Sequence, residues 1–151
     1  METIVKGRLG YNLVEKALLQ QGWDLYTPVL ENTKIDCIAI KNNNLVRIQI
    51  KVLNKDKILP VRKISHNQGE YKISHYTETD IDFFIGVDVE EEDIYILPIS
   101  FSSQYSSSIG YKTLQPYKNA FNLMEPNIGN NIGADDDIGE PSTGNTEGIT
   151  N

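Results

Sequence analysis

Between residues 6 and 21, Leu9, Leu13, Ala17 and Leu18 recur at the spacing of one helical face, with Val14 beside them, which predicts an amphipathic helix. Gly22 follows the last turn, where glycine accepts the left-handed conformation that ends a helix. Gly7 and Gly10 weaken the early turns by up to about 1 kcal/mol relative to alanine, a cost that a close approach to another backbone would explain. Three strands are predicted next. Residues 23–30 are aromatic and β-branched, and Pro28 confines them to a sheet edge or a strand end. Residues 34–41 form the second, and Asn42, Asn43 and Asn44 supply a turn because asparagine tolerates positive φ. Residues 45–53 alternate strictly: Val46, Ile48, Ile50 and Val52 take one face, Leu45, Arg47, Gln49 and Lys51 the other. The short turn makes the second and third strands an antiparallel hairpin.

Residues 54–76 show no sustained period and are long for a plain connection, so a functional or mobile loop is expected. Residues 81–89 and 94–100 read as strands around Glu90-Glu91-Glu92-Asp93, a run of like charge that suits a solvated hairpin tip. Residues 101–110 are a Ser-rich loop and 116–124 a short closing helix. From Pro126 the chain is Gly, Asn, Asp, Thr and Ser, too polar to bury a core of its own. The expected organisation is one domain over residues 1–125 and a disordered acidic Gly/Asn-rich tail over 126–151.

Charge follows the same division. The net charge is −7, and Asp135, Asp136, Asp137, Glu140 and Glu147 of the tail carry five of those charges with no Lys or Arg against them, leaving −2 for the body. Between Lys51 and His75 six cations face two acids. An acidic chain is at first sight a poor partner for nucleic acid, but the acidity belongs to the tail. Cys37 is the one cysteine, which excludes an internal disulfide and a cysteine-based zinc site and suits a small core residue. No apolar run approaches the roughly 18 residues of a membrane span, and the N-terminus shows no basic stretch followed by an apolar core. The expected compartment is the cytoplasm.

Gln49 and Lys51 stand two apart on one strand, so both side chains leave the same face, away from the apolar set. A polar pair there calls for solvent or for a site. Phosphodiester hydrolysis needs a divalent cation, an activated water and positive charge against the phosphorane. Asp36 would supply a carboxylate and Gln49 an amide oxygen, both suited to a hard cation. Lys55, Lys57, Arg62, Lys63 and Lys72 follow directly, placed to meet a phosphate backbone. Arg62, Lys63, His66, Asn67 and Gln68 include residue types that read base edges. No Ser-His-Asp order, P-loop or dinucleotide glycine motif occurs. His66 and His75, the only histidines, lack the companions a ββα-metal nuclease requires.

The order Lys6-Gly7, Gly10, helix, Gly22-Trp23, Pro28, Asp36, then Arg47-Ile48-Gln49-Ile50-Lys51 resembles the PD-(D/E)XK nuclease superfamily. It is most similar to the branch with Holliday-junction resolvases and a bacterial group I intron homing endonuclease. Ile81-Asp82-Phe83-Phe84 and Tyr95-Ile96-Leu97-Pro98 extend the likeness to residues 6–124. The resemblance implies an α/β restriction-endonuclease-like fold, a helix on a central mixed sheet. It also implies a Mg²⁺ or Mn²⁺ ion held by Asp36 and Gln49, with Lys51 assisting the water. Double-stranded DNA would be the substrate, and a dimer or tetramer the assembly. Three departures stand out. Ile35 replaces the proline, Gln49 is neutral where an acid is usual, and Tyr11 follows Gly10 where the branch often has glutamate. Glu15, one turn on, would be either an alternative source of that acid or a surface charge. Intron homing is the expected role; the alternatives are a Holliday-junction resolvase and a catalytically silent DNA-binding module of the same fold.

Overall fold

The computed structural model describes residues 1–30 and 33–126, so the expected tail lies outside the described residues beyond Pro126. The chain forms a mixed α/β fold around one five-stranded sheet. Helix α1 (Thr3–Gln20) is followed by β1 (Asp24–Tyr26), β2 (Cys37–Lys41) and β3 (Asn44–Val52). β7 (Phe83–Asp88) and β8 (Asp93–Pro98) complete the sheet, in the order β1-β2-β3-β7-β8. Neighbours are antiparallel except β3 and β7, which run parallel. The expected restriction-endonuclease-like core with its mixed sheet is therefore present.

The β2–β3 hairpin turns where the asparagines stand: Asn42 and Asn43 have φ of 51° and 67°, the left-handed pair that a tight hairpin turn demands. α1 begins at Thr3, earlier than its apolar stripe suggests, and Gly22 beyond its end has φ of 91°. The stripe's buried members Val14 and Leu18 pack with Trp23, Ala39, Val46, Ile48, Ile85 and Val87 on one face of the sheet. Gly10 is buried there, and a Cβ on it would stand 2.6 Å from Val52 Cγ2. The close approach is thus to a β3 side chain, not to backbone. A Cβ on Gly7 would meet nothing within 4 Å, so packing does not account for that glycine.

Three expectations are corrected. Residues 54–76 are not a structureless loop: they hold β4 (Leu59–Pro60) and a separate antiparallel ribbon of β5 (Arg62–Asn67) and β6 (Glu70–His75). The ribbon turns at Gln68 and Gly69, with φ of 52° and 82°. It gave no period because most of its described side chains are exposed on both faces, so nothing selects alternation. Residues 116–124 are not a helix but 3₁₀ turns, Gln115–Tyr117 and Phe121–Met124. The Ser-rich segment also contains β9 (Ser108–Ile109), which pairs with β4. Leu59 and Ile109 of the β4–β9 pair, with Leu53, Val61, Tyr76, Ile81 and Leu114, pack against Phe84, Tyr95 and Leu97 on the sheet's second face, whereas Met124 of the last 3₁₀ turn joins the core under α1. The sheet is buried on both sides, and the polar side of β3 faces this second layer. Among the described residues no helix is long and apolar enough to cross a membrane.

Candidate active site

β2 begins at Cys37, paired with Ile48, while β3 continues to Val52 against β7 alone. Asp36 sits where β2 gives out. Its N–H donates to Ile48 O at 2.7 Å, and its Oδ2 accepts the N–H of Ile50 at 2.7 Å. The side chain thus takes over the ladder bond that a longer β2 would have supplied. That bond fixes the carboxylate beside the strand residue that separates Gln49 from Lys51.

A cleft of about 750 Å³ opens at this break, between the early turns of α1 and the end of β3. Asp36, Gln49 and Lys51 all line it, so the structure brings together the three residues named from sequence. Lys55 lines it too, and Lys6 and Arg8 reach it from the helix. Among the described residues Asp36 is the sole acid in this lining, against four cations. Burial pushes the Asp36 carboxyl above its ordinary value, opposed by the Ile50 N–H and by the charges of Lys51 and Lys63. Burial likewise pulls the Lys51 ammonium down, with Asp36 working against it. Lys51 Nζ stands 5.8 Å from the centre of the Tyr76 ring.

Gln49 is 8% exposed, and its Oε1 is buried with no hydrogen-bond partner among the described residues. Its Nε2 donates to Ile50 O at 3.4 Å. An unpaired buried amide oxygen costs about 1–3 kcal/mol. The Tyr11 hydroxyl, on the same cleft, is also buried and unpartnered. Burial raises its pKa to about 12, so it stays protonated at neutral pH. Glu15 is exposed and lines instead an adjoining cleft of about 540 Å³ that shares Arg8, Tyr11 and Asp36.

A carboxylate and a partnerless amide oxygen suit a hard cation that keeps waters and takes its remaining ligands from a phosphate. Among the described residues no three His, Cys, Asp or Glu side chains gather as a metal cluster. The cleft therefore fits a cation with one protein charge, not a cage of acids.

The basic residues named from sequence divide three ways. Lys55 lines the cleft, while Arg62, Lys63, His66 and Lys72 lie on the ribbon. Lys57 is engaged elsewhere: its Nζ donates to both carboxylate oxygens of buried Asp88, at 2.9 and 2.8 Å, and to Glu90 at 3.1 Å. The sequence reading missed Lys6 and Arg8 as cleft residues. The one signal for Arg8 was its helical spacing from Tyr11, and its guanidinium stands 5.3 Å over the Tyr11 ring. Arg47, read only as part of the motif, binds Asp82 at 3.1 Å through Nε and 3.0 Å through a terminal nitrogen. This pair ties β3 to the start of β7.

No curated protein matches the chain. Among solved structures it is similar to a bacterial homing endonuclease, I-Ssp6803I, with a TM-score of 0.72 and 22% identity over 82% of this chain and 93% of that one. That likeness is one of fold. The sequence model of the PD-(D/E)XK endonucleases matches residues 1–123. The chain belongs to the PD-(D/E)XK endonuclease family.

Proposed function

We propose that this chain is a metal-dependent endonuclease cutting both strands of DNA at a specific site, in the service of intron homing. Asp36 and Gln49 hold Mg²⁺ or Mn²⁺, and Lys51 orients the attacking water and bears on the phosphate. The bound cation supplies Lewis acidity and lowers the pKa of that water. Lys6, Arg8 and Lys55 offset the phosphate charge in the cleft, and Lys63 and Lys72 extend the positive surface along the ribbon. The observation that carries the reading is the buried Gln49 Oε1, partnerless among the described residues, in a cleft whose single described acid is Asp36. An orphaned acceptor there is explained by a cation. The fold likeness to a homing endonuclease supports the homing role. Cutting two strands takes two such clefts, so a dimer or tetramer is the working form.

Supercoiled plasmids carrying genomic fragments test this, incubated with the purified chain and Mg²⁺, Mn²⁺ or EDTA. Linear product that requires the cation supports the reading; product in EDTA contradicts it. A second reading, a catalytically silent DNA-binding module, draws on the one-acid lining and the tyrosine at position 11. Binding of duplex DNA without cleavage in either metal would favour it.

A further inference from the structure

Among the described residues the β5–β6 ribbon belongs to no larger sheet. A free two-stranded ribbon is marginal alone in water. Its root is held by His75, whose Nε2 lies 2.9 Å from Ser106 O and whose carbonyl accepts Lys34 Nζ at 2.9 Å. Its strands are six residues each, about 20 Å long, and most of their described side chains are exposed.

Cross-strand partners share a face, so the register sorts the side chains. Lys63 with Ser74 and Ser65 with Lys72 make one face polar, and Glu70, two residues before Lys72, falls on it too, leaving two lysines against one acid. Arg62 with His75, Ile64 with Ile73 and His66 with Tyr71 make the other face mixed. Ile64, Tyr71 and Ile73 are 46%, 65% and 39% exposed on it. Lys63, at the root of the ribbon, lies near enough to the cleft for its charge to bear on both Asp36 and Lys51.

We propose that the β5–β6 ribbon enters the major groove of duplex DNA and turns its Lys63–Ser65–Lys72–Ser74 face to the base edges, giving the chain its sequence preference. The inference rests on the nuclease reading and deepens it. Charge complementarity selects the partner: Arg62, Lys63 and Lys72 stand against Glu70 alone, which suits a polyanion. The shape is right, since a major groove of about 12 Å admits a two-stranded ribbon. Lysines pair with guanine O6 and N7, and serine hydroxyls pair with either partner of a base pair. Continuity with the cleft would set the distance between the bases read and the bond cut.

The test is selection from a randomised duplex library in EDTA by the full chain, by Lys63→Ala/Lys72→Ala, and by Ile64→Ser/Tyr71→Ser. Lys112→Ala, an exposed lysine that belongs to neither ribbon strand, is the control. The parent, the apolar-face variant and the control are expected to enrich one motif. The lysine variant is expected to lose contiguous positions of it, with discrimination there falling about ten-fold or more. The proposal is overturned if the lysine variant enriches the parental motif, or if the parent enriches none. It is equally overturned if the apolar-face variant alone loses the motif and falls in mass by light scattering, which makes the ribbon a contact between copies. No cleavage is required, so Asp36→Asn is expected to keep the motif. A failure of the ribbon proposal is thereby separate from a failure of the nuclease reading.

Discussion

The carboxylate of Asp36 accepts a 2.7 Å hydrogen bond from the backbone N–H of Ile50. An acid that ends one strand is thereby locked to the next strand between Gln49 and Lys51. Family membership and this lock together make the cleft at the β2–β3 break the place where DNA chemistry is expected.

The lock has a thermodynamic consequence. Burial raises the Asp36 pKa above 3.8. Between 3.8 and the folded value the folded chain binds more protons than the unfolded one. Stability contributed by the neutral acid is therefore lost as pH rises through that window, and stays lost above it. Asp36→Asn keeps an oxygen for the Ile50 N–H and removes the buried charge. It is expected to raise Tm at pH 7 while abolishing cleavage, with the gain shrinking toward acid pH. Thermal melts at pH 7 and pH 4 check this; a lower Tm for the variant at pH 7 contradicts it.

With one acid against four lining cations, the cation is expected to bind well only once DNA is seated and contributes phosphate oxygens. Calorimetric titration of Mn²⁺ into the chain alone and into its complex with duplex DNA is expected to show binding tighter by about ten-fold or more in the complex, the scale on which supporting donors change metal affinity. Gln49→Glu adds a second acid and is expected to tighten binding to the free chain. Equal affinity with and without DNA argues against this donor set.

Tyr11 and Glu15 are separated by geometry. The Tyr11 hydroxyl is buried on the cleft without a partner, whereas Glu15 is exposed on the adjoining one. Tyr11→Phe is expected to slow single-turnover cleavage by about ten-fold, the worth of one good hydrogen bond to a charged group. Glu15→Gln is expected to leave the rate near the parent's. The reverse pattern would give the helix contribution to Glu15.

Gly10 sets the distance between α1 and β3. Its replacement by alanine gains helix propensity but drives a methyl to 2.6 Å from Val52 Cγ2. Overpacking of this kind costs about 1–3 kcal/mol. Gly10→Ala is expected to lower stability in urea, and Val52→Ala to relieve part of the loss. Additive losses in the double variant would show that the two residues do not compete for that space.

What was legible in the sequence was what leaves a period. α1 and the β2–β3 hairpin could be read because their apolar residues line one buried face and Asn42 and Asn43 mark the turn. The convergence of Asp36, Gln49 and Lys51 followed from the hairpin register. The β5–β6 ribbon left no period because it has little core to face, and Gln68-Gly69 is a weaker turn signal than Asn-Gly. Lys57 looked like its basic neighbours, since its partner Asp88 lies 31 residues away. The burial of Gln49 depends on a second layer assembled from scattered segments, including Val61, Phe84, Ile109 and Leu114, which no local pattern announces.

Lys51 provides the most direct test. Single-turnover cleavage and duplex binding are measured in parallel for the parent and Lys51→Ala with Mg²⁺ or Mn²⁺. The variant is expected to keep most of its DNA affinity and to cut about a hundred-fold slower or worse, the range lost with a positioned proton-handling group. Cleavage by Lys51→Ala at the parental rate would contradict the assignment of this cleft as the place where the phosphodiester is cut.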